Sequence, residues 1–453
     1  MDTPYFDIPA GANAIMEALK ADGYESFIVG GAVRDTLLGN AIHDVDIATN
    51  CQAKVTTRIL IKAGMKTVPT GIKHGTITAV LEDGSYEVTT YRIDGEYQDS
   101  RHPEQVTFTD TIEADLARRD FTINAMAYAH DAGLVDPFSG ILDLRAKVIR
   151  CVGDPRERFS EDALRIMRAL RFASELGFMI ESETAAAIHE LREKVNEVSR
   201  ERVRDEFVKL LHGKGAGRIM REYVDVISTF IPQLADLVGL NLNNPLHIHD
   251  AWEHSLVTFE TIQPRRTEML LAALLHDIGK GPKAIGEEWA KGVDHAEISR
   301  RISEEILRDL HFPNYTIKFV GRVIGGHDDV FTPNRAMIKR SLRDFGQVVF
   351  LSILDLKRAD IIAHGPEAAE QVWRIDEIRG IAEDIIIKRE CYTLGDLEVS
   401  GSDVREAADL EGKQIAKALG FLLDKVIEGE VANDRDELLE VLLSSMPLSD
   451  SNE

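Results

Sequence analysis

Cysteine is scarce in this chain. The three residues, Cys51, Cys151 and Cys391, are far apart and odd in number. Such a set builds neither a disulfide framework nor a CxxC metal knuckle. A reducing, cytoplasmic setting is expected. Long apolar runs are missing too: no stretch of about 18 hydrophobic residues occurs, so no membrane span is expected. The N-terminal MDTPYFDIPAGANAIMEALK has no basic segment leading into an apolar core and does not read as a signal peptide. Positive charge is in deficit, with 53 Lys and Arg against 77 Asp and Glu, a net charge of -24. A protein that grips phosphates over its whole surface carries the opposite balance. A local basic groove is still allowed, because the field in a cleft is set by its own lining.

What the chain does contain is globular. Hydrophobic residues make up 44% and charged residues 29% of 453 positions, and at roughly 150 residues per domain about three domains are expected. The acidity is uneven. Gly401 to Glu453 holds 13 acidic and 5 basic residues, whereas Arg150 to Arg218 holds 13 acidic and 14 basic. The middle segment is therefore the expected contact surface for RNA or nucleotide.

The first 150 residues carry strand-like stretches, SFIVGGAV, GTITAVL, YEVTTYR and KVIRCVG, with a turn at Glu82-Asp83-Gly84. From about Glu161 the apolar spacing turns helical. DALRIMRALRFASELG reads as one helix ending at Gly177. LNLNNPLHIHD reads as a connection. The reading is an α+β chain: a mixed α/β head over 1–150, a helical neck over 151–240, a helical domain over 245–365, a helical tail over 370–445 and a disordered end over 446–453.

The densest chemistry lies in FIVGGAVRDTLLGNAIHDVDIATN, residues 27–50. A strand runs into Gly30-Gly31, where the backbone can approach a phosphate and offer N–H groups to it. Arg34 follows and can pair with phosphate oxygens. In Asp44-Val45-Asp46, residues two apart on an extended chain share a face. Both carboxylates then point one way and Val45 and Ile47 the other. Paired carboxylates beside a triphosphate suit Mg²⁺ and two-metal phosphoryl transfer. A lone GG is a turn and a lone DxD is a solvated strand end; it is the ordered combination that carries chemistry.

GGAVRD followed by HDVDIAT resembles the class II tRNA nucleotidyltransferase and bacterial poly(A) polymerase family. ADLARRDFTINAMAY (114–128), VDPFSGILDL (135–144) and RFSEDALRIMRALRFASELGF (158–178) are similar to that family's RRDxxxNA, DPxxGxxDL and EDxxRxxR segments. The resemblance implies a polymerase-beta-like head and template-independent addition of C, C and A from CTP and ATP to the 3′ end of tRNA. It implies Asp44 and Asp46 as the catalytic, Mg²⁺-binding pair, and Gly31, Arg34 and Arg119 as triphosphate contacts. Asp162 and Arg165, three apart, would address the Watson–Crick edge of the incoming base, with Arg168 and Arg171 continuing that face. Asn124 would support the sugar or a turn. Glu87 stays outside the site, being equally well read as a strand-surface glutamate.

Residues 247–364 hold a second set: His254, His276-Asp277 in LLAALLHDIGKG, His295, His327 and Asp360. A His-Asp pair inside an apolar helix needs partners, because unpaired buried polar groups are costly. Imidazoles and carboxylates together suit Mn²⁺, Fe²⁺, Ni²⁺ or Mg²⁺. The order of these residues resembles the HD metal-dependent phosphohydrolase superfamily, which implies cleavage of a phosphomonoester or cyclic phosphate at RNA ends. Lys280 could bind phosphate there. His247 and His249 read as loop residues. A helical body that has lost its chemistry is the bland alternative.

The last segment, TLGDLEVSGSDV onward, resembles the C-terminal region of Gram-positive-type CCA-adding enzymes, which implies tRNA contacts. GSDV is expected to open a helix, and Ile415, Leu419, Leu422, Leu423 and Val426 form one apolar stripe. RIDGEYQDSRHPEQVTF resembles the loop that CCA-adding members use in passing from C to A. Poly(A) synthesis, CC-only or A-only addition, and an HD phosphohydrolase or RNA-binding regulator with a dead head remain open at this level. Expected partners are tRNA, CTP and ATP, with no DNA and no membrane.

Overall fold

The computed structural model describes residues 6, 8–42, 44–94, 106–241, 248–281 and 294–445. The chain divides into two compact units, Met1–Pro232 and Gln233–Glu453.

The first unit is built on a seven-stranded sheet. Helix α1 (Ala10–Ala21) leads into β1 (Ser26–Val29), α2 (Gly31–Leu38), β2 (Asp46–Thr49), α3 (Ala53–Lys62), β3 (Lys66–Gly71), β4 (Thr76–Leu81) and β5 (Gly84–Thr90). The strands β6 (Arg92–Asp94) and β7 (Val106–Phe108) form a separate ribbon, while β8 (Ala127–Ala129) and β9 (Gly133–Val135) return to the sheet. The sheet order is β3-β4-β5-β2-β1-β8-β9. Strand β2 lies in the middle, antiparallel to β1 and parallel to β5. Alternation decides what faces the core. Ile77 and Ala79 of β4 and Tyr86 and Val88 of β5 are buried, while Glu87 between the latter two is exposed.

After the sheet come α4 (Ile112–Ala117, preceding β8), α5 (Gly140–Ala146), α6 (Pro155–Glu161), α7 (Leu164–Leu176), α8 (Ser182–Leu191) and α9 (Arg200–His212). Helix α7 ends where expected, on Gly177 at φ 68°, a conformation that favours glycine. Its start differs from the sequence reading. Asp162 is not in that helix; it stands in the break after α6 with φ -140° and ψ 102°. The reason is local: its Oδ1 accepts the Leu164 N–H at 3.1 Å, so the aspartate caps α7 from outside. KVIRCVG is also less of a strand than expected. Only Val148–Ile149 pairs, in parallel with Met179–Ile180, and Cys151 makes one bridge to Phe121. Of the segment read as the C-to-A loop, residues 95–105 lie outside the described residues.

The second unit is helical among the described residues. Met269 to Leu275 is buried on every side, which is why its sequence shows no polar face. Ile338, Leu342, Phe350, Leu354 and Ile378 anchor one core and Val404, Leu422, Leu423, Leu438 and Leu442 another. The apolar stripe of Lys413–Glu428 packs as expected, with Ile415 and Leu419 partly buried. The helix Gly401–Ala408 opens on GSDV as expected, but its cap is the residue before that stretch rather than Ser402 or Asp403. Ser400 is its N-cap and Asp403 returns a bond to the Ser400 N–H at 2.8 Å, a reciprocal cap. The end over 446–453, the connection at 242–247 and His247 lie outside the described residues. Among the described residues no helix is long and apolar enough to cross a membrane.

Candidate functional site

The carboxylate pair stands as alternation demands. Asp44 and Asp46 are exposed, while Val45 and Ile47 are buried at 7% and 0%. Asp44 lies just ahead of β2, so extended backbone, not a ladder, sets its face. Glu87, which the sequence left undecided, sits opposite Asp46 in the parallel register of β2 and β5. The Asp46 carboxyl, open to solvent yet partly desolvated by the protein around it, is pushed above its usual range first by that desolvation, then by Glu87 and Asp44, against the pull of Arg119. Asp46 thus feels Glu87 and Asp44 as like charges, with the Arg119 guanidinium to offset them. A divalent cation relieves that repulsion, so the donor set fits one.

The glycines do what a phosphate cradle requires. Gly30 precedes α2 with φ 72°, and a Cβ there would lie 2.9 Å from Arg119 Nη1. The missing side chain thus lets Arg119 lie across the start of α2, whose first residue is Gly31. A helix N-terminus and a guanidinium at one point favour an anion. Arg34, one turn on, donates to Asn124 Oδ1 at 2.9 Å and to Asp35. Asn124 in turn donates to Asp120 Oδ1 at 3.3 Å, and Arg168 donates to Asp120 Oδ2 at 2.8 Å. One chain of polar contacts therefore ties α2, the 122–124 turn and α7 together. Arg34, Arg168 and Arg171 also surround the Phe172 ring, 5.1, 5.3 and 4.1 Å from its centre.

The proposed base readers are placed unlike a free pair. Arg165 is buried and gives Nη1 to Glu161 Oε2 at 2.7 Å and to the Arg158 carbonyl, and Nη2 to the Arg118 carbonyl at 3.0 Å. Asp162 Oδ2 lies 3.5 Å from Arg202. Arg171 pairs with Glu206 at 3.0 Å, and burial lowers its guanidinium. The sequence reading foresaw the residues but not their partners: Glu161 lies four positions before Arg165 and was not weighed, while Glu206 and Arg202 are distant along the chain from Arg171 and Asp162.

In the second unit all six residues of the histidine set converge. One ligand atom from each of His254, His276 and Asp360 falls within a 4.8 Å group, and so does one from each of Asp277, His295 and His327. Asp277 stands between them. Its Oδ2 is 3.5 Å from His276 Nε2 and 3.7 Å from His254 Nε2, and its Oδ1 is 3.7 Å from His295 and 3.8 Å from His327. That Oδ1 is buried without a hydrogen-bond donor among the described residues. His276 and His327 spend Nδ1 on the carbonyls of Ala273 at 2.9 Å and Ile324 at 2.6 Å, which aims Nε2 at the carboxylates. Burial works to raise Asp277 and Asp360, yet the surrounding histidines, and Lys280 beside Asp277, hold both well below the carboxylate range. Lys280 Nζ lies 2.8 Å from Asp277 Oδ2. An orphaned buried oxygen ringed by aimed imidazoles fits a metal. His364, missed by the sequence reading, stacks edge-on 4.8 Å from His254; it follows Asp360 by one turn, the only local signal.

The chain has relatives. Residues 26–150 match the family described as the poly A polymerase head domain, and residues 177–236 match "Probable RNA and SrmB- binding site of polymerase A". Residues 283–442 match "tRNA nucleotidyltransferase domain 2 putative". A CCA-adding enzyme of Leuconostoc mesenteroides is 32% identical over 94% of this chain and 94% of its own. That of Bacillus velezensis is 33% identical over 95% and 96%. The solved structure of the Bacillus stearothermophilus CCA-adding enzyme in complex with CTP aligns with a TM-score of 0.70 at 30% identity, covering 98% of each chain.

Proposed function

The chain belongs to the family of CCA-adding enzymes, and from that premise we propose how its side chains divide the work. It adds C, C and A from CTP and ATP to the 3′ end of tRNA without a nucleic-acid template, and such nucleotidyltransferases depend on metal. Asp44 and Asp46 hold that metal, for which Mg²⁺ is the natural choice, and Glu87 borders it. Bound there, Mg²⁺ supplies charge neutralisation at the attacking 3′-hydroxyl and the leaving pyrophosphate. Gly31 and Arg119 hold the triphosphate at the start of α2. Arg34 is fixed by Asn124 and braces that end of the cradle. Asp162 and Arg165 select the base once Arg165 exchanges Glu161 for the Watson–Crick edge; Arg168 and Arg171 keep α7 in place and positively charged.

The observation that carries this reading is the shared exposure of Asp44 and Asp46 next to Glu87 and Arg119. The test is incubation with Mg²⁺ and a tRNA lacking its 3′ end, giving CTP and ATP singly and together. Stepwise C, C, then A is expected. Long A tails, or incorporation that survives Asp44→Ala, would overturn the assignment.

A second activity rests on the converging histidine set. His254, His276, Asp277 and Asp360 would hold one Mn²⁺, Fe²⁺, Ni²⁺ or Mg²⁺ ion, with His295 and His327 completing a second position through Asp277. Such an ion supplies an activated water for hydrolysing a phosphomonoester or cyclic phosphate at an RNA end. Lys280 is placed to keep Asp277 ionised. Release of phosphate from 2′,3′-cyclic or 3′-phosphorylated RNA, lost in His276→Ala while C and A addition persists, is the expected result. Equal loss of both activities would refute a separate centre.

A further inference from the structure

Outside both centres, one surface of the second unit stands apart from the chain's acidic character. On the helix Asn314–Gly325, Tyr315, Lys318 and Arg322 lie three and four residues apart and so share a face. Tyr315 is 66% exposed, which is unusual for so large an aromatic. Its ring is not loose: it stacks on the buried Phe319 at 6.0 Å and 27°, and Arg266 lies 4.7 Å over the other ring. Arg322 is exposed, with Nη2 held by the carbonyls of Asp344 at 3.1 Å and Phe345 at 2.6 Å. Lys318 is exposed between them. The hollow they border, about 580 Å³, is also lined by Phe345 and Val348, and no carboxylate is among its lining residues. In a chain of net charge -24, a hollow with two cations and no carboxylate in its lining is locally suited to an anion.

We propose that this hollow docks an unpaired stretch of RNA, with a base stacked on Tyr315 and the flanking phosphates on Lys318 and Arg322. A flat ring held in place and open to solvent suits a nucleobase of any identity. Two cations four residues apart, about 6 Å along the helix axis, suit successive phosphates of an extended strand. Free phosphate has no use for the ring or for Val348, which is 57% exposed. The inference rests on the family's handling of RNA but assigns contacts to residues that neither centre uses.

The test uses the full chain and a single-stranded RNA of about eight nucleotides carrying a photoreactive uridine. Crosslinking should map to the peptide that holds Tyr315. Affinity, read by fluorescence anisotropy, should weaken about tenfold or more in Tyr315→Ala and stay near the parent in Tyr315→Phe. Lys318→Ala should lower the salt dependence by about one unit of log–log slope. Crosslinks confined to other peptides, or parent-like binding by both Tyr315→Ala and Lys318→Ala, would overturn the proposal. So would an equal loss in Tyr315→Phe. Addition of C and A to unfinished tRNA is measured on the same samples. A parent that fails there sinks the proposed addition of C and A, whereas a parent that succeeds without a Tyr315 crosslink sinks only this surface.

Discussion

Arg168 grips Asp120 through a single oxygen: Nε and Nη2 lie 2.8 and 2.5 Å from Oδ2. The other oxygen of Asp120 takes the Phe121 N–H at 2.8 Å and the Asn124 amide. A buried carboxylate is thereby fully used, and through Asn124 it also holds Arg34. The nucleotide cleft inherits its shape from this one acid.

Removing it should therefore cost both stability and activity. Asp120→Ala leaves Arg168 without its partner, and a loss of about 2–3 kcal/mol is expected, at the low end for buried pairs because Arg168 is one-third exposed. Urea melts of parent and variant check this. The sign with pH follows from the folded carboxyl. Burial would raise it, but the charge and hydrogen bond of Arg168 prevail and hold it below 3.8. The pair then stabilises the fold above about pH 3.8, and that contribution is lost as pH falls through the lower folded value. The variant should lack this acid-side slope; an identical slope would refute the role.

Loss of the metal-holding pair should be near-total. Asp46→Asn and Asp44→Ala are expected to reduce nucleotide incorporation by about 10³-fold or more, since several kcal/mol of charge stabilisation depend on them. Glu87→Gln should lower incorporation less, by about tenfold, with a raised Mg²⁺ requirement. Single-turnover assays across Mg²⁺ concentrations distinguish the three, and an unaffected Glu87→Gln would remove that residue from the site.

Base choice should fail before chemistry does in Arg165→Ala. The ratio of correct to incorrect nucleotide should fall about tenfold, corresponding to one lost base contact of about 1.4 kcal/mol. The Mg²⁺ dependence should be unchanged. Competition between CTP and ATP at each step of addition reads this out. Retained selectivity would mean that Arg165 serves only Glu161 and the carbonyls it now binds.

The histidine centre predicts metal-dependent stability. Mn²⁺ at about 100 times its Kd should add about 2.7 kcal/mol to the unfolding free energy of the second unit. His276→Ala and Asp277→Ala should abolish the gain and lower metal content by elemental analysis. Equal stabilisation of parent and variants would place the ion elsewhere.

Much of this was readable from residue order, for definable reasons. Asp44, Asp46, Gly30 and Gly31 lie within one strand–turn–helix–strand stretch, so alternation alone gives their facing. The histidine set was readable because a polar pair inside the apolar LLAALLHDIGKG needs buried partners, and the other histidines and Asp360 supply them. What escaped is whatever depends on partners distant along the chain. Glu87 became a neighbour of Asp46 only through the parallel pairing of β2 and β5. Asp162 was placed on a helix because apolar spacing does not register a single capping aspartate. Arg165 looked free because the Arg118 carbonyl is 47 residues away, and because Glu161, although only four positions before it, was not weighed as its partner.

The central position of β2 has one more consequence. Neighbours on both sides lock its register, and with it the direction of Asp46. A slip of one residue would bury that acid and turn Ile47 to solvent. The segment between Gly39 and Asp44 can therefore vary in length only as slack taken up before the strand begins. An insertion between Val45 and Ile47 has no such outlet, and this stretch should be where the gene tolerates altered length least.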